Sequence, residues 1–246
     1  MVEYLDTSAG RKLAYHKTQG RGPGVVFLGG FMSDMSGTKA VFLEDWAKSQ
    51  GRAFLRFDYS GHGESSGTFA EGCIGDWAED ALEALSKLTD GPQILVGSSM
   101  GGWIALLLAR KVPKRVHGLV GVAAAPDFTE DSMWPGLTDA QRAEILEQGQ
   151  ISVPNGYDDT PYTLTRHLFE DGKMQLVLQT PLDLPFPVRL MQGTQDEAVA
   201  TSVPLRLIAH ATCPDMRLTL VKDADHRFST PACLKMITTA ITELTD

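Results

Sequence analysis

The stretch that most constrains this chain is "QILVGSSMGGWIALLLARK", residues 93–111, where an apolar run breaks on serines and glycines and resumes without a linker. The run before the break reads as a buried strand, and the run after it is apolar on nearly every side, as in a helix buried on most of its surface. Between them Gly97, Ser99 and Gly101 fit G-x-S-x-G, the pattern of a serine raised on a strained strand-to-helix turn. Five positions with three fixed recur by chance, but a strand, the motif and an immediately starting helix together supply the context that the motif needs. At so sharp a turn, side larger groups beside the serine collide with the adjoining strand and helix. Small residues therefore keep the Ser99 hydroxyl exposed at the strand's carboxyl end.

The remaining chain alternates short β-rich runs with longer helical patterns, which predicts a mostly parallel sheet. Strands are expected at "VEYLDT", "KLAYHKT", "GVVFLGG", "AFLRFDY", "QILVGS", "VHGLVGVAAA", "VRLMQG" and "RLTLV". "TKAVFLEDWAKSQG" has helical content and stops at Gly51, and a C-terminal helix carries Leu234, Ile237, Ala240, Ile241 and Leu244. In another helix Ile74, Trp77, Ala78, Ala81, Leu82, Leu85 and Leu88 share one stripe, while Asp76, Glu79, Asp80 and Glu83 face away. The 246 residues read as one α/β domain, an eight-stranded twisted sheet with helices on both faces. Its pattern degrades between Pro126 and Pro187, so a helical cap insertion is expected at about 127–187.

A balance of 22 Lys plus Arg against 31 Asp plus Glu, a net charge of -9, excludes nucleic acid as a partner. The one basic cluster, Arg110 to Arg115, reads as helix-end cations complementing the dipole. The N-terminal "MVEYLDTSAGRKLAY" has no signal-like order, and no run approaches the roughly 18 apolar residues of a span, so membrane insertion is not expected. Cys73, Cys213 and Cys233 are odd in number and lack C-x-x-C spacing, which suggests neither a disulfide framework nor a zinc site. These features together predict a cytoplasmic protein. The sequence sets no oligomeric state.

A serine hydroxyl is a poor nucleophile at neutral pH and needs a base within reach, with an acid to orient that base. On this kind of sheet the chain order is Ser, then Asp or Glu, then His. Asp196 in "LMQGTQDEAV" and His226 in "LVKDADHRF" each follow a predicted strand and open on the same side of a parallel sheet as Ser99. Glu197 is the alternative acid, and Asp223 and Asp225 read as turn formers. Of the other histidines, His16 and His117 lie in strands, His167 in the cap and His210 at the end of an amphipathic segment. His62 in "DYSGHGESSG" is the rival base, but it precedes the serine. Backbone N–H groups of Phe31 and Met100 are the candidate oxyanion donors. These roles need no metal and no cofactor.

On these residues the chain is identified as a member of the α/β-hydrolase superfamily. "GGFMSDMSGTKAVFLEDWA", "RFDYSGHGESSG" and "GPQILVGSSMGGW" resemble the acyl-protein thioesterase and acyl-glucuronide esterase branch, and the likeness continues through "LMQGTQDEAV" and "DADHRF". It implies Ser99 as nucleophile, Asp196 as acid and His226 as base, acting on small-molecule esters, thioesters, acyl proteins or acyl glucuronides. Two departures stand out. Gly29 and Gly30 replace the common His-Gly of the oxyanion loop, and this chain shows no transit-peptide pattern, so the mitochondrial setting of that branch is not carried over.

The competing expectation is a non-catalytic ligand receptor or interaction protein on the same fold. A nucleotide-dependent enzyme is set aside, since neither G-x-x-x-x-G-K-[ST] nor G-x-G-x-x-G appears at the first strand-helix turn. Relatives that open haloalkanes or epoxides carry an aspartate where Ser99 stands. Within the cap, Phe128, Trp134, Tyr157, Tyr162 and Phe169 either line an acyl pocket or form the cap's own core, and Arg166 and His167 read first as a solvent-exposed helix face, with contact to a glucuronide carboxylate as the alternative.

Overall fold

The computed structural model describes residues 2–154 and 161–245. Strands β1 (Glu3–Asp6) and β2 (Lys12–Thr18) form an antiparallel hairpin. The alternation then runs β3 (Arg21–Leu28), α1 (Thr38–Ser49), β4 (Arg52–Phe57), α2 (Ile74–Leu88), β5 (Gln93–Ser98), α3 (Met100–Lys111) and β6 (Val116–Val122). An excursion follows, with the single turn α4 (Trp134–Gly136), α5 (Asp139–Gln148), β7 (Gln150–Val153), β8 (Tyr162–Thr165) and α6 (Arg166–Met174). The chain returns through β9 (Val188–Gly193), α7 (Ser202–His210), β10 (Met216–Val221) and α8 (Pro231–Glu243).

Eight strands form one sheet in the order β1-β2-β4-β3-β5-β6-β9-β10. β2 runs antiparallel to both its neighbours, and every other pairing is parallel. Period-2 alternation splits the core between the two faces. Val25 and Phe27 of β3 face one way, into a cluster with Leu43 of α1 and Ile237 and Ile241 of α8. Val26 and Leu28 face the other way, joining Trp77 and Leu85 of α2 and Trp103 of α3. Both tryptophans are fully buried.

The stripe of α2 is as the spacing implies, with one exception. Asp80 was expected to face solvent, yet it is completely buried, accepting from Ser60 N–H at 2.9 Å, Ser60 Oγ–H at 2.6 Å and Arg11 Nε–H at 2.7 Å. The loop after β4 and the turn between β1 and β2 cover that flank of the helix, a tertiary fact that helical periodicity does not contain. Burial pushes the Asp80 carboxyl above its usual range despite those donors. In the basic cluster, Arg115 reaches the end of α2, donating to Leu85 O at 2.9 Å and Thr89 O at 3.0 Å, where helix carbonyls lack partners.

β3 leads through α1 to β4 on one side, and β4 leads through α2 to β5 on the other side of β3. The carboxyl ends of β3 and β5 thus open at a topological switch point, the place where such sheets bind ligands. Residues 127–187 depart from a purely helical insertion: β7 and β8 form an antiparallel hairpin between α5 and α6. The four-residue runs on either side of residues 155–160 are too short for periodicity to reveal.

Candidate active site

Ser99 sits between β5 and α3 at φ 54 and ψ -120, a conformation that L-residues seldom adopt. Three backbone bonds hold it there: Ser99 N–H donates to Val122 O at 3.0 Å, and Ser99 O accepts from Gly102 N at 2.9 Å and Ala125 N at 3.1 Å. The neighbouring glycines have specific steric reasons. A Cβ on Gly97 would fall on the Gly101 carbonyl, and one on Gly101 would fall on the Leu28 carbonyl and within 2.6 Å of Gly29 O. The motif therefore encodes the closeness of α3 to β5 and β3.

The loops after β9 and β10 bring Asp196 and His226 to this turn. They are laced together by Thr194 N–H to Val221 O and Gln195 N–H to Ala224 O, both 3.0 Å, and a Cβ on Gly193 would strike Ala224 O. His226 Nδ1 lies 2.9 Å from Asp196 Oδ2, and Nε2 lies 3.1 Å from Ser99 Oγ. A carboxylate can only accept, so Nδ1 carries the proton and Nε2 is left to accept the serine hydroxyl. The Asp196 side chain is wholly buried and His226 is 17% exposed. Burial alone raises the Asp196 carboxyl, but bonds from His226, Val199 N–H and Gln192 outweigh it and hold the group below its usual range.

Sequence reasoning missed Gln192. Fully buried on β9, it donates through Nε2 to Asp196 Oδ2 at 2.7 Å and to Val199 O at 3.0 Å, while Asp196 Oδ1 takes Ala198 N–H at 2.9 Å and Val199 N–H at 2.8 Å. A polar residue inside the apolar run "VRLMQG" was the available signal. Glu197, the alternative acid, is exposed beside it.

Phe31 lies on the loop after β3, and a Cβ on the preceding Gly30 would stand 3.4 Å from Ser99 Cβ. Met100 opens α3, where helix N–H groups lack intrahelical partners. Among the described residues neither the Phe31 nor the Met100 N–H has an intramolecular acceptor. The bracing of this loop, left open by Gly29 and Gly30, comes from β4 and the loop itself. Arg56 Nη1 donates to Met35 O at 2.7 Å, Asp58 Oδ1 accepts Met35 N–H at 2.6 Å, and Ser33 Oγ–H donates to Gly30 O at 2.8 Å. Asp58 also accepts Glu64 N–H at 2.9 Å, which gives "RFDYSGHGESSG" an architectural role.

His62, the rival base, is buried against Tyr59, Phe69 and Trp77 with Nδ1 3.1 Å from Ser60 O, and lines neither cavity at Ser99. Burial lowers its pKa to about 4, so it is neutral. His117 meets Leu244 O at 3.0 Å and His210 meets Thr180 O at 2.8 Å.

The aromatic residues of 127–187 divide. Phe128 and Tyr162 stand edge-on to Phe31, at ring distances of 5.7 and 5.5 Å, and line the space at Ser99. Trp134 and Phe169 pack on each other at 4.9 Å and line no cavity there. Tyr157 lies outside the described residues. Arg166 does not reach the site: it pairs with Glu170 one turn along α6 at 2.6 Å, exposed to solvent. His167 is near Cys73 and Asp76, a group close enough to share a metal ion, although Asp76 already pairs with Arg11 at 3.0 Å. None of these three lines the Ser99 cavities.

Comparison with known proteins places this geometry in a family. A model of the alpha/beta hydrolase fold matches residues 23–152. The mitochondrial palmitoyl-protein thioesterase ABHD10 of Rattus norvegicus is 37% identical over 95% of this chain and 79% of its own length, and that of Mus musculus is 36% identical over 100% and 82%. Among solved structures, a putative hydrolase from Agrobacterium vitis S4 matches with TM-score 0.95 at 39% identity, covering 100% of this chain and 99% of its own. Mouse alpha/beta hydrolase domain-containing protein 10 matches with TM-score 0.91 at 35% identity, covering 100% and 98%. The cytoplasmic location expected from the sequence is overturned, because those rat and mouse relatives are named mitochondrial. On the matched model and on relatives aligned along nearly its whole length, the chain belongs to the α/β hydrolase family and is a hydrolase.

Proposed function

We propose that the protein cleaves carboxylic esters or thioesters through an acyl-enzyme, with Ser99 as nucleophile, His226 as general base and Asp196 as its orienting acid. The observation that carries this reading is the continuous chain Asp196 Oδ2, His226 Nδ1, His226 Nε2, Ser99 Oγ, with links of 2.9 and 3.1 Å at the mouth of a cavity. His226 Nε2 takes the Ser99 proton as Oγ attacks the acyl carbon, and Asp196 stabilises the resulting imidazolium. The tetrahedral oxyanion is received by the N–H groups of Phe31 and Met100, fixed donors that need not reorganise. His226 then gives its proton to the departing oxygen or sulfur, and water repeats the attack on the acyl-enzyme.

Residues 127–187 act as a cap in this reading, since Phe128, Ser132, Met133 and Tyr162 wall the space over Ser99. The relatives named palmitoyl-protein thioesterase favour long-chain thioesters, and acyl glucuronides are a further candidate class from the sequence resemblance. The test is labelling by a fluorophosphonate followed by intact-mass measurement, with turnover of an ester, a thioester and an acyl glucuronide. One adduct that disappears in Ser99→Ala is the expected result. A folded wild-type protein that takes no adduct and turns over none of the three returns the ligand-receptor reading.

A further inference from the structure

Two cavities meet at Ser99, and their walls differ in chemistry. One, of about 350 Å³, is bounded by Ala125, Phe128, Met133, Ala198 and Val199, with Ser132 as the polar side chain among them. The other, of about 370 Å³, has apolar walls at Phe27, Met32 and Ala40 but is the one that holds charged side chains, Asp34, Lys39 and Arg227. Ser99, His226, Phe31 and Tyr162 border both. Attack on an acyl carbon needs room on two sides of the nucleophile, one for the acyl group and one for the departing alcohol or thiol. An alkyl or aryl acyl group gains by leaving water for the apolar side. The polar side then takes the leaving group.

The polar side holds charges of both signs, Lys39 and Arg227 against Asp34, and they differ in how far their hydrogen-bonding capacity is used. Lys39 stands in the first turn of α1, half-buried, and donates to the Arg227 carbonyl; its remaining N–H groups have no protein partner among the described residues. Burial lowers its pKa to about 8 against the attraction of Asp225, so at neutral pH it is mainly a cation with spare donors. Asp34, the one acid lining this cavity among the described residues, is turned onto Ser36, accepting its N–H at 2.7 Å and its Oγ–H. The start of α1 opens here as well: Gly37 provides no side-chain cap and the first turn holds no acid. The positive end of a twelve-residue helix therefore reinforces Lys39.

We infer that this cavity is a leaving-group subsite for an alcohol or thiol carrying a carboxylate or phosphate, recognised by Lys39 and the start of α1 with Arg227 alongside. The inference rests on the acyl-transfer reading above and makes Lys39 the residue that determines leaving-group specificity. When Ser99 Oγ bonds to the acyl carbon, the bond from that carbon to the leaving oxygen or sulfur breaks. The leaving atom takes its proton from His226, and the anion held by Lys39 departs on this side while the acyl group stays on the apolar side.

The experiment compares kcat/KM for hexanoyl esters of para-hydroxybenzoate, para-hydroxyphenyl phosphate and neutral para-hydroxybenzamide, each normalised to its hydroxide rate. A mirror pair places the carboxylate at the far end of the acyl chain instead. For the wild type, an anionic leaving group is expected to gain about tenfold over the neutral one, and the acyl carboxylate to lose. Lys39→Met should bring the leaving-group ratio close to one, Lys39→Arg should keep most of it, and salt should reduce it. A larger ratio for the carboxylate or for the phosphate ester names the anion. A Lys39 that only steadies the His226 loop would lower all three substrates together and leave the ratio intact, which overturns the inference, as does a wild-type ratio near one. If the neutral ester is not hydrolysed and Ser99 takes no fluorophosphonate, the acyl-transfer reading itself has failed.

Discussion

At the Ser99 turn the backbone approaches itself more closely than any side chain permits, whereas the described parts of residues 127–187 are held in place by side chains. A Cβ on Gly97 would meet the Gly101 carbonyl, one on Gly101 the carbonyls of Leu28 and Gly29, and one on Gly102 the methyl of Ala124, with no flexible group to give way. In the second region, buried Asp127 accepts Val177 and Leu178 N–H at 2.9 Å each, Asp171 accepts Gly75 N–H at 2.7 Å, and Trp103 Nε1 donates to Gln175 O at 3.1 Å. Phe31 joins the two regions, edge-on to Phe69 and Trp77 on one side and to Phe128 and Tyr162 on the other. The first arrangement fixes one geometry for the nucleophile. The second can exchange side chains and alter the shape of the site without moving the serine.

Substitutions on the two sides should therefore have different signatures. Ser99→Ala should lower kcat by a factor on the order of 10³ to 10⁶ with the melting temperature preserved, checked by ester turnover and thermal unfolding. Gly101→Ala should cost at least about 3 kcal/mol of stability, because its methyl meets backbone that cannot move aside, and denaturant unfolding measures it. An alanine tolerated at both stability and activity would break the proposed contrast.

Gln192→Leu tests the support beneath the acid. Removing two donors while keeping the bulk should reduce kcat by about ten- to a hundredfold, with KM little changed, by analogy with second-layer hydrogen bonds at other reactive centres. On the side of 127–187, Met133→Ala and Phe128→Ala should shift the preferred acyl chain length while retaining fluorophosphonate labelling. A shift of about three- to tenfold in relative kcat/KM across an acyl series is the scale expected for one or two methylenes. Uniform loss for every chain length would instead place these residues in the same rigid class as the glycines.

The smallest effect concerns acid stability of the frame behind the loop. Burial pushes the Glu44 carboxyl up, but bonds from Arg56, Thr18 and Lys48 outweigh it and hold it at about 2. A depressed folded-state pKa gives stability that is present above the unfolded value and is lost as pH falls through the folded one. Stability should thus decline between about pH 4.5 and pH 2, and Glu44→Gln should flatten that limb in acid unfolding curves. Because Arg56 also holds Met35 O, the same variant reports on bracing of the Phe31 loop.

Local chemistry along the chain determined the alternation of strands and helices, the buried faces and the glycine-bounded serine, because each is written in periodicity or in steric need at neighbouring positions. It also nominated Asp196 and His226 by their place after strands. Only the tertiary structure decided that Asp80 is buried, that Arg56 and Asp58 brace the loop lacking a histidine, that Gln192 supports Asp196, and that Arg166 turns to Glu170 instead of to the site. Each of these depends on a partner twelve or more residues away or on a choice among partners within reach. A pattern along one segment carries no information about which distant donor will arrive to satisfy a buried acceptor.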